Sequence, residues 1–233
     1  MHGFCGRLLE IDLSSGKTKD HAVSDDMVAK YMGGRGLGAR LLFDKLPAKT
    51  RPLSPQNVLL FLTGPLTGTK VPGSSKFVVV TKSPLTQGWC DSYSSGRLPG
   101  ELKKLGYDGL IIRAKSNHPC YLKIDDSGVH IKEADLIWGK DSFETDRILK
   151  EMEGDPSAGI TSIGPAGEKR CRFASINSEL YRQAGRGGVG AVMGSKNLKA
   201  IMIRSKGKVQ QHDRKKLAEL NKINYARSRQ SEV

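Results

Sequence analysis

The chain has 233 residues, and 38 lysines and arginines stand against 24 aspartates and glutamates, a formal charge of +14. That length suits one large domain or two small ones, and an apolar content of 37% excludes general disorder. No run approaches the ~18–20 apolar residues of a membrane span, and Met1–Arg7 does not read as a secretion signal.

The alternation in Arg7–Leu13 predicts a strand, with Lys17–Val23 returning across Ser14-Ser15-Gly16. Ser24 caps a short helix from Asp25 to Met32, and Leu37–Leu46 is a second helix, stopped by Pro47. Asn57–Thr63 and Phe77–Thr81 are buried strands. A glycine-serine segment, Ser92–Gly100, leads through a helix at Glu101–Leu105 to the strand Gly109–Ala114. Cys120–Asp125 and Val129–Glu133 form a hairpin, and Asp141-x-x-Glu144 opens an amphipathic helix that reaches about Glu153. Strands follow at Ala158–Ile163 and Arg170–Asn177. A second glycine-rich segment, Gly185–Gly190, precedes a short helix and the strand Ala200–Arg204.

This order repeats itself. Leu60–Gly68 parallels Ile160–Gly167, with Gly64-Pro65 matching Gly164-Pro165. Each block is followed by a strand, a glycine segment, a short helix and a closing strand, the last pair being Leu105–Lys115 and Asn197–Lys206. The expected fold is therefore α+β: a β-rich, duplicated base of two sheets with short helices about a pseudo-two-fold axis. Gly96 and Gly187 are expected on one face of it. Lys208–Val233 lacks the strand pattern. Leu217, Leu220 and Ile223 predict one helix there with nothing of its own to pack on. Residues 1–207 are thus expected as one domain, and 208–233 as a helical or disordered tail that begins a second.

The charge asks for an anionic partner: nucleic acid, a phosphorylated cofactor or an acidic protein, set against an ordinary solvated surface. Aromatics at 6% argue against a base-stacking surface. Gly185-Arg186-Gly187-Gly188-Val189-Gly190 fits Gly-x-Gly-x-x-Gly, but no apolar strand precedes it and no ribose-holding acid follows the next strand, so a dinucleotide fold is rejected. Its glycines still admit an anion to backbone N–H groups, and a helix starting near Ala191 is expected to point its positive end there. Arg182 and Arg186 add forked donors. In the first glycine segment, Ser94 and Ser95 offer hydroxyls and Gly96 close approach, while Lys76 nearby is a candidate phosphate ligand. Cys5, Cys90, Cys120 and Cys171 form no Cys-x-x-Cys pair, and a reducing cytoplasm is the expected compartment. No histidine spacing suits a metal, and no nucleophile elbow is present.

Arg182–Ile201 resembles the signature of the aldehyde ferredoxin oxidoreductases, the tungsten-pterin enzymes. Gly33–Gly38, Gly64–Thr69, Thr81–Thr86, Glu101–Lys103 with Gly106–Asp108, and Ser162–Glu168 resemble the same family in the same order, over roughly residues 3–206. The resemblance implies a base domain carrying a tungstopterin: a bis-molybdopterin with W or Mo, its two phosphates bridged by Mg2+. It implies cofactor-binding roles for Lys76, Ser94, Ser95, Gly96, Arg182, Gln183, Gly185 and Arg186. Backbone carbonyls at Ser94 and Gln183 are the implied magnesium ligands. Lys76 stands where the family often has arginine, and Ser94-Ser95-Gly96-Arg97 where it typically has Asn-Ser-Gly-Gly.

The family oxidises aldehydes with ferredoxin as acceptor, through a [4Fe–4S] cluster and acid/base groups held by later domains. The four cysteines here lack that cluster's spacing. The implied partners are ferredoxin, an aldehyde, and the C-terminal domains or a partner subunit, with no membrane. A truncated remnant, a pterin-carrier subunit and a basic nucleic-acid binder are the alternative functions, the last without a supporting motif.

Overall fold

The computed structural model describes residues 2–230. Its first half comprises β1 (Arg7–Asp12), β2 (Thr18–Ala22), α1 (Asp25–Tyr31), α2 (Gly34–Lys45), β3 (Leu59–Thr63), β4 (Lys76–Lys82), β5 (Trp89–Ser95), α3 (Leu98–Lys104) and β6 (Gly109–Arg113). The second half comprises β7 (Cys120–Asp125), β8 (Gly128–Glu133), α4 (Ser142–Glu153), β9 (Gly159–Ser162), α5 (Pro165–Glu168), β10 (Ile176–Ser178), β11 (Arg182–Ala184), α6 (Val189–Ser195) and β12 (Leu198–Ile203). A last helix, α7 (Arg214–Gln230), follows.

The duplication is borne out strand by strand. One sheet has the order β2-β1-β6-β3-β4-β5, the other β8-β7-β12-β9-β10-β11. In each, a hairpin pairs in parallel with the closing strand, and the remaining neighbours are antiparallel. The two hairpins, β1–β2 and β7–β8, therefore belong to the repeat as well. Register agrees too. The rung Gly109–Leu62–Val78–Tyr93 crosses four strands of one sheet. Ala200–Ser162–Asn177–Gln183 crosses four of the other. Leu62 and Ser162 each stand two residues before a Gly-Pro pair.

Side chains alternate across each sheet and are buried on both faces, which explains the near-continuous apolar runs of the central strands. Inward residues such as Ile11, Phe61, Val79 and Ile112 meet Leu122, Ile163, Ile176 and Ile201 in one shared core. Outward residues of the first sheet, Leu60, Leu62, Val78 and Val80, lie under Leu37, Leu41 and Leu42 of α2. Those of the second, Tyr121, Ile160 and Met202, lie with Leu149 of α4. Two short helices lie in this shared core. α3 packs mainly on β9 and β12 of the opposite sheet, and α6 on β10 and β12 of its own sheet and on β3 and β4 of the other.

Caps follow the sequence: the Ser24 hydroxyl accepts from the Met27 N–H, and Asp141 accepts from Phe143 and Glu144. Several boundaries move. The glycine-serine segment starts as strand, through Ser95, and α3 begins at Leu98, because proline is tolerated in a first turn. The strand expected over Arg170–Asn177 shrinks to Ile176–Ser178, since α6 occupies its flank. The Gly190 N–H donates to Ala174 O at 2.9 Å, and Gly188 packs on Arg172 O. The tail forms α7, and the segment just before that helix packs on the first half. Val209 covers Gly68, and the His212 ring stacks on His2 at 3.7 Å. Leu220, Ile223 and Tyr225 of α7 remain about half exposed.

Buried charges clasp the layers. Lys103 and Asp108 pair at 2.6 Å, and Asp108 also accepts the Cys5 and Gly6 N–H groups at 2.8 Å each. Lys196 sends its ammonium from the second half to three carbonyls of the first: Asn57 at 2.5 Å, Ala114 at 3.0 Å and Pro55 at 3.3 Å. Burial pushes the Lys196 pKa down to about 7. On the outer face of the second sheet, burial raises the Glu153 pKa, but bonds from Lys123, Lys132 and Tyr121 outweigh it and hold it at about 2. A carboxylate depressed in the folded state contributes fully above its unfolded value of 4.5, and that contribution is lost as pH falls towards 2. Glu153→Gln should therefore flatten the acid limb of stability between pH 4.5 and 2, read from urea midpoints across that window.

Candidate functional site

β5 and β11 end their respective sheets and lie against each other, so the two glycine segments meet along one seam. The Arg186 N–H donates to Ser92 Oγ at 2.9 Å, and Ser83 Oγ donates to Gly187 O at 2.7 Å. Further along, the Arg97 N–H donates to Glu179 Oε1 at 2.6 Å.

Glycine is required here by close approach. A Cβ on Gly187 (φ +66°) would fall 2.0 Å from Cys90 Sγ, and one on Gly188 (φ +72°) 1.9 Å from Arg172 O. A Cβ on Gly96 (φ +131°) would sit 2.9 Å from Ser178 Oγ. Gly185 differs: a Cβ there meets nothing within 4 Å, so nothing in the chain itself demands glycine.

Each residue singled out from the sequence can now be placed. Lys76 is exposed, pairs in register with Ser95, and lines a cavity of about 240 Å3 with Gly34, Thr67, Ser74 and Tyr93. Ser94 points inward and is 7% exposed. Gly96 is held to Ser75 by two hydrogen bonds. Arg182 and Gln183 are exposed on β11, and the Arg182 guanidinium donates to Glu179 Oε2 at 3.1 Å. Gly185 and Arg186 are exposed beyond the end of β11. Lys76 lies on the first half, across the seam from the arginines. The matched rungs place Tyr93, one residue before Ser94, at the position that Gln183 holds in the other half.

One expectation needs correction. α6 begins at Val189 and is buried throughout. Its early Gly190 N–H is already bonded to Ala174 O, so its positive end is used inside the protein.

The structure adds features that the sequence did not show. Four buried polar atoms beside the glycine segments have no hydrogen-bond partner among the described residues: Ser74 Oγ, Ser94 Oγ, Asn177 Oδ1 and Ser178 Oγ. Such atoms are costly to leave unpaired. On the outer face of β5, Arg35 lies over the Trp89 ring at 5.3 Å and pairs with Asp91 at 3.2 Å. Among the described residues no group of three or more His, Cys, Asp or Glu is placed to hold a metal, and no helix is long and apolar enough to cross a membrane.

Fold and seam define a base domain of two like sheets that presents paired glycine loops along a common edge. The sequence over residues 8–205 matches the profile described as aldehyde ferredoxin oxidoreductase, N-terminal domain, and the chain belongs to the aldehyde ferredoxin oxidoreductase family. It is 45% identical over 220 residues to the tungsten-containing aldehyde ferredoxin oxidoreductase of Pyrococcus horikoshii, covering 94% of this chain and 36% of that one. It is 41% identical over 233 residues to the aliphatic sulfonate oxidoreductase, WOR-like subunit, of Pyrococcus furiosus, covering 93% and 37%. Among solved structures, the active site complex BamBC of benzoyl coenzyme A reductase in complex with 1,5-dienoyl-CoA matches with a TM-score of 0.93. It is 36% identical, over 98% of this chain and 35% of that chain. The chain thus spans little more than a third of the length of these relatives.

Steric need separates the glycines. Gly188→Ala, forced into a carbonyl at positive φ, should lower stability by about 2–4 kcal/mol. Gly185→Ala should leave the melting temperature within about 2 °C. Thermal unfolding of the two variants checks this, and equal losses would contradict it.

Proposed function

We propose that this domain binds a bis-pterin cofactor of tungsten or molybdenum in an oxidoreductase that converts aldehydes to carboxylic acids with ferredoxin as acceptor. The observation that carries the proposal is family membership, with a tungsten-containing relative at 45% identity. The seam's chemistry fits a phosphate-bearing group. It offers exposed cations at Arg182, Arg186 and Lys76, an open glycine at Gly185, and unpaired buried hydroxyls beside both loops.

In this reading Arg182 and Arg186 fork to phosphate oxygens and Lys76 adds a point charge from the first half. Ser95, Gly96 and Gly185 let the ligand approach the backbone. Backbone carbonyls at Ser94 and Gln183 would hold a Mg2+, one ligand from each half. When bound, the metal–dithiolene centre supplies the two-electron chemistry, and the protein supplies placement and electrostatics. Relatives named for aldehydes, sulfonates and benzoyl coenzyme A share this base. That supports assigning it to the cofactor and leaving substrate choice to the rest of the enzyme.

Arg182→Ala or Arg186→Ala in the cofactor-loaded enzyme should weaken retention roughly ten- to a hundred-fold, and Lys76→Ala less. Pterin and metal content after identical anaerobic purification measures this. A lysine variant stripped of cofactor beside two loaded arginine variants would refute the assignment. The 233-residue chain assayed alone with a dye acceptor is expected to turn over no aldehyde, because its four cysteines lack cluster spacing. Dye reduction by the pure chain would contradict that expectation.

A further inference from the structure

Glu179 is an unusual residue at the seam. Its backbone is left-handed, at φ +56°, a conformation that costs a side-chain-bearing residue roughly 1 kcal/mol or more. Surrounding contacts must hold it there. Its N–H donates to Ile160 O at 2.9 Å, which anchors the residue to the second sheet. From that anchor the two carboxylate oxygens divide. Oε1 accepts the Arg97 N–H of the first half at 2.6 Å and would lie 3.1 Å from a Cβ built on Gly96. Oε2 accepts from the Arg182 guanidinium at 3.1 Å. The carboxylate is only 16% exposed, whereas the arginine side chain is 50% exposed. The acid is thus the fixed partner and the guanidinium the one being aimed.

We infer that Glu179 is a positioning residue: it locks the first glycine segment to the second sheet with one oxygen and aims Arg182 with the other, so that both loops face the same anion. The inference rests on the proposed role of Arg182 as a phosphate-facing donor. An exposed ion pair by itself adds little stability. Restricting the rotamers of a long side chain before binding lowers the ordering cost, and that is where affinity is gained. A glutamine here keeps an acceptor for the Arg97 N–H but loses the charge that holds Arg182, so Glu179→Gln separates the two roles.

The test uses the full 233-residue chain and inorganic pyrophosphate with magnesium as the probe, by calorimetry. Glu179→Gln should melt close to wild type yet bind about three- to ten-fold more weakly, while in an Arg182→Ala background it should cost nothing further. Nitrogen relaxation of the Arg182 Nε–H group, measured without ligand, should show an ordered guanidinium in wild type and a mobile one in Glu179→Gln. A loss of the same size in both backgrounds, unchanged affinity, or an Arg182 equally ordered in the variant would overturn the inference. If wild type fails to bind pyrophosphate, the phosphate-facing role of Arg182 fails and the inference falls with it. A clear effect of Arg182→Ala with none of Glu179→Gln removes Glu179 alone.

Discussion

Glycine backbone lying against the opposite half at the seam is the constraint on which the rest of this domain depends. Two sheets that share one core, with short helices packed between them, can close only if the polypeptide of one half comes within van der Waals reach of the other. Gly187 against Cys90 and Gly188 against Pro84 permit that approach, as does Gly96 against Ser178. Polar groups brought this close have to be matched. Ser92 and Ser83 do so directly, one accepting from the Arg186 N–H and the other donating to Gly187 O. The same close packing buries the Ser94 and Ser178 hydroxyls without partners.

The second glycine segment therefore does two unlike jobs with like residues. Gly187 and Gly188 are internal joinery. Gly185, three residues from Gly188, faces open space and is free of that duty. A motif scan sees one Gly-x-Gly-x-x-Gly string, whereas the fold divides it into a part that holds the protein together and a part that faces outward. This also explains why the helix after it is unavailable: α6 is buried between its own half and the other, and its Gly190 N–H is bonded to Ala174 O.

Much of the fold was legible in the sequence because the repeat is punctuated by residues with fixed backbone habits. Gly64-Pro65 and Gly164-Pro165 mark the ends of equivalent strands, and the register of four strands follows from them. The hairpins were each visible but not recognised as copies, since alternation alone does not distinguish one hairpin from another. β5 and β11 were hidden because edge strands with one exposed face carry polar residues: Asp91, Tyr93 and Ser95 on one, Arg182 and Gln183 on the other. The arginines were legible as donors, but Glu179 was not. Its place depends on a left-handed backbone and on a partner 82 residues away, and neither leaves a local signature.

The shared helices have a consequence for how the chain reaches its native state. α3 packs mainly on the sheet of the half that follows it, and α6 bridges its own sheet and the sheet of the half that precedes it. Lys196 reaches the same way, from the second half to carbonyls of the first. Neither repeat is then a self-sufficient folding unit, although each carries all six of its own strands. Nascent chain emerging in order must hold an unfinished first sheet until the second unit has been made. The native topology is dominated by contacts distant in sequence, which places the domain among slow folders. A duplicated gene that began as two identical pieces of a dimer would have this same mutual dependence, with the linker between β6 and β7 turning an encounter between chains into an intramolecular one.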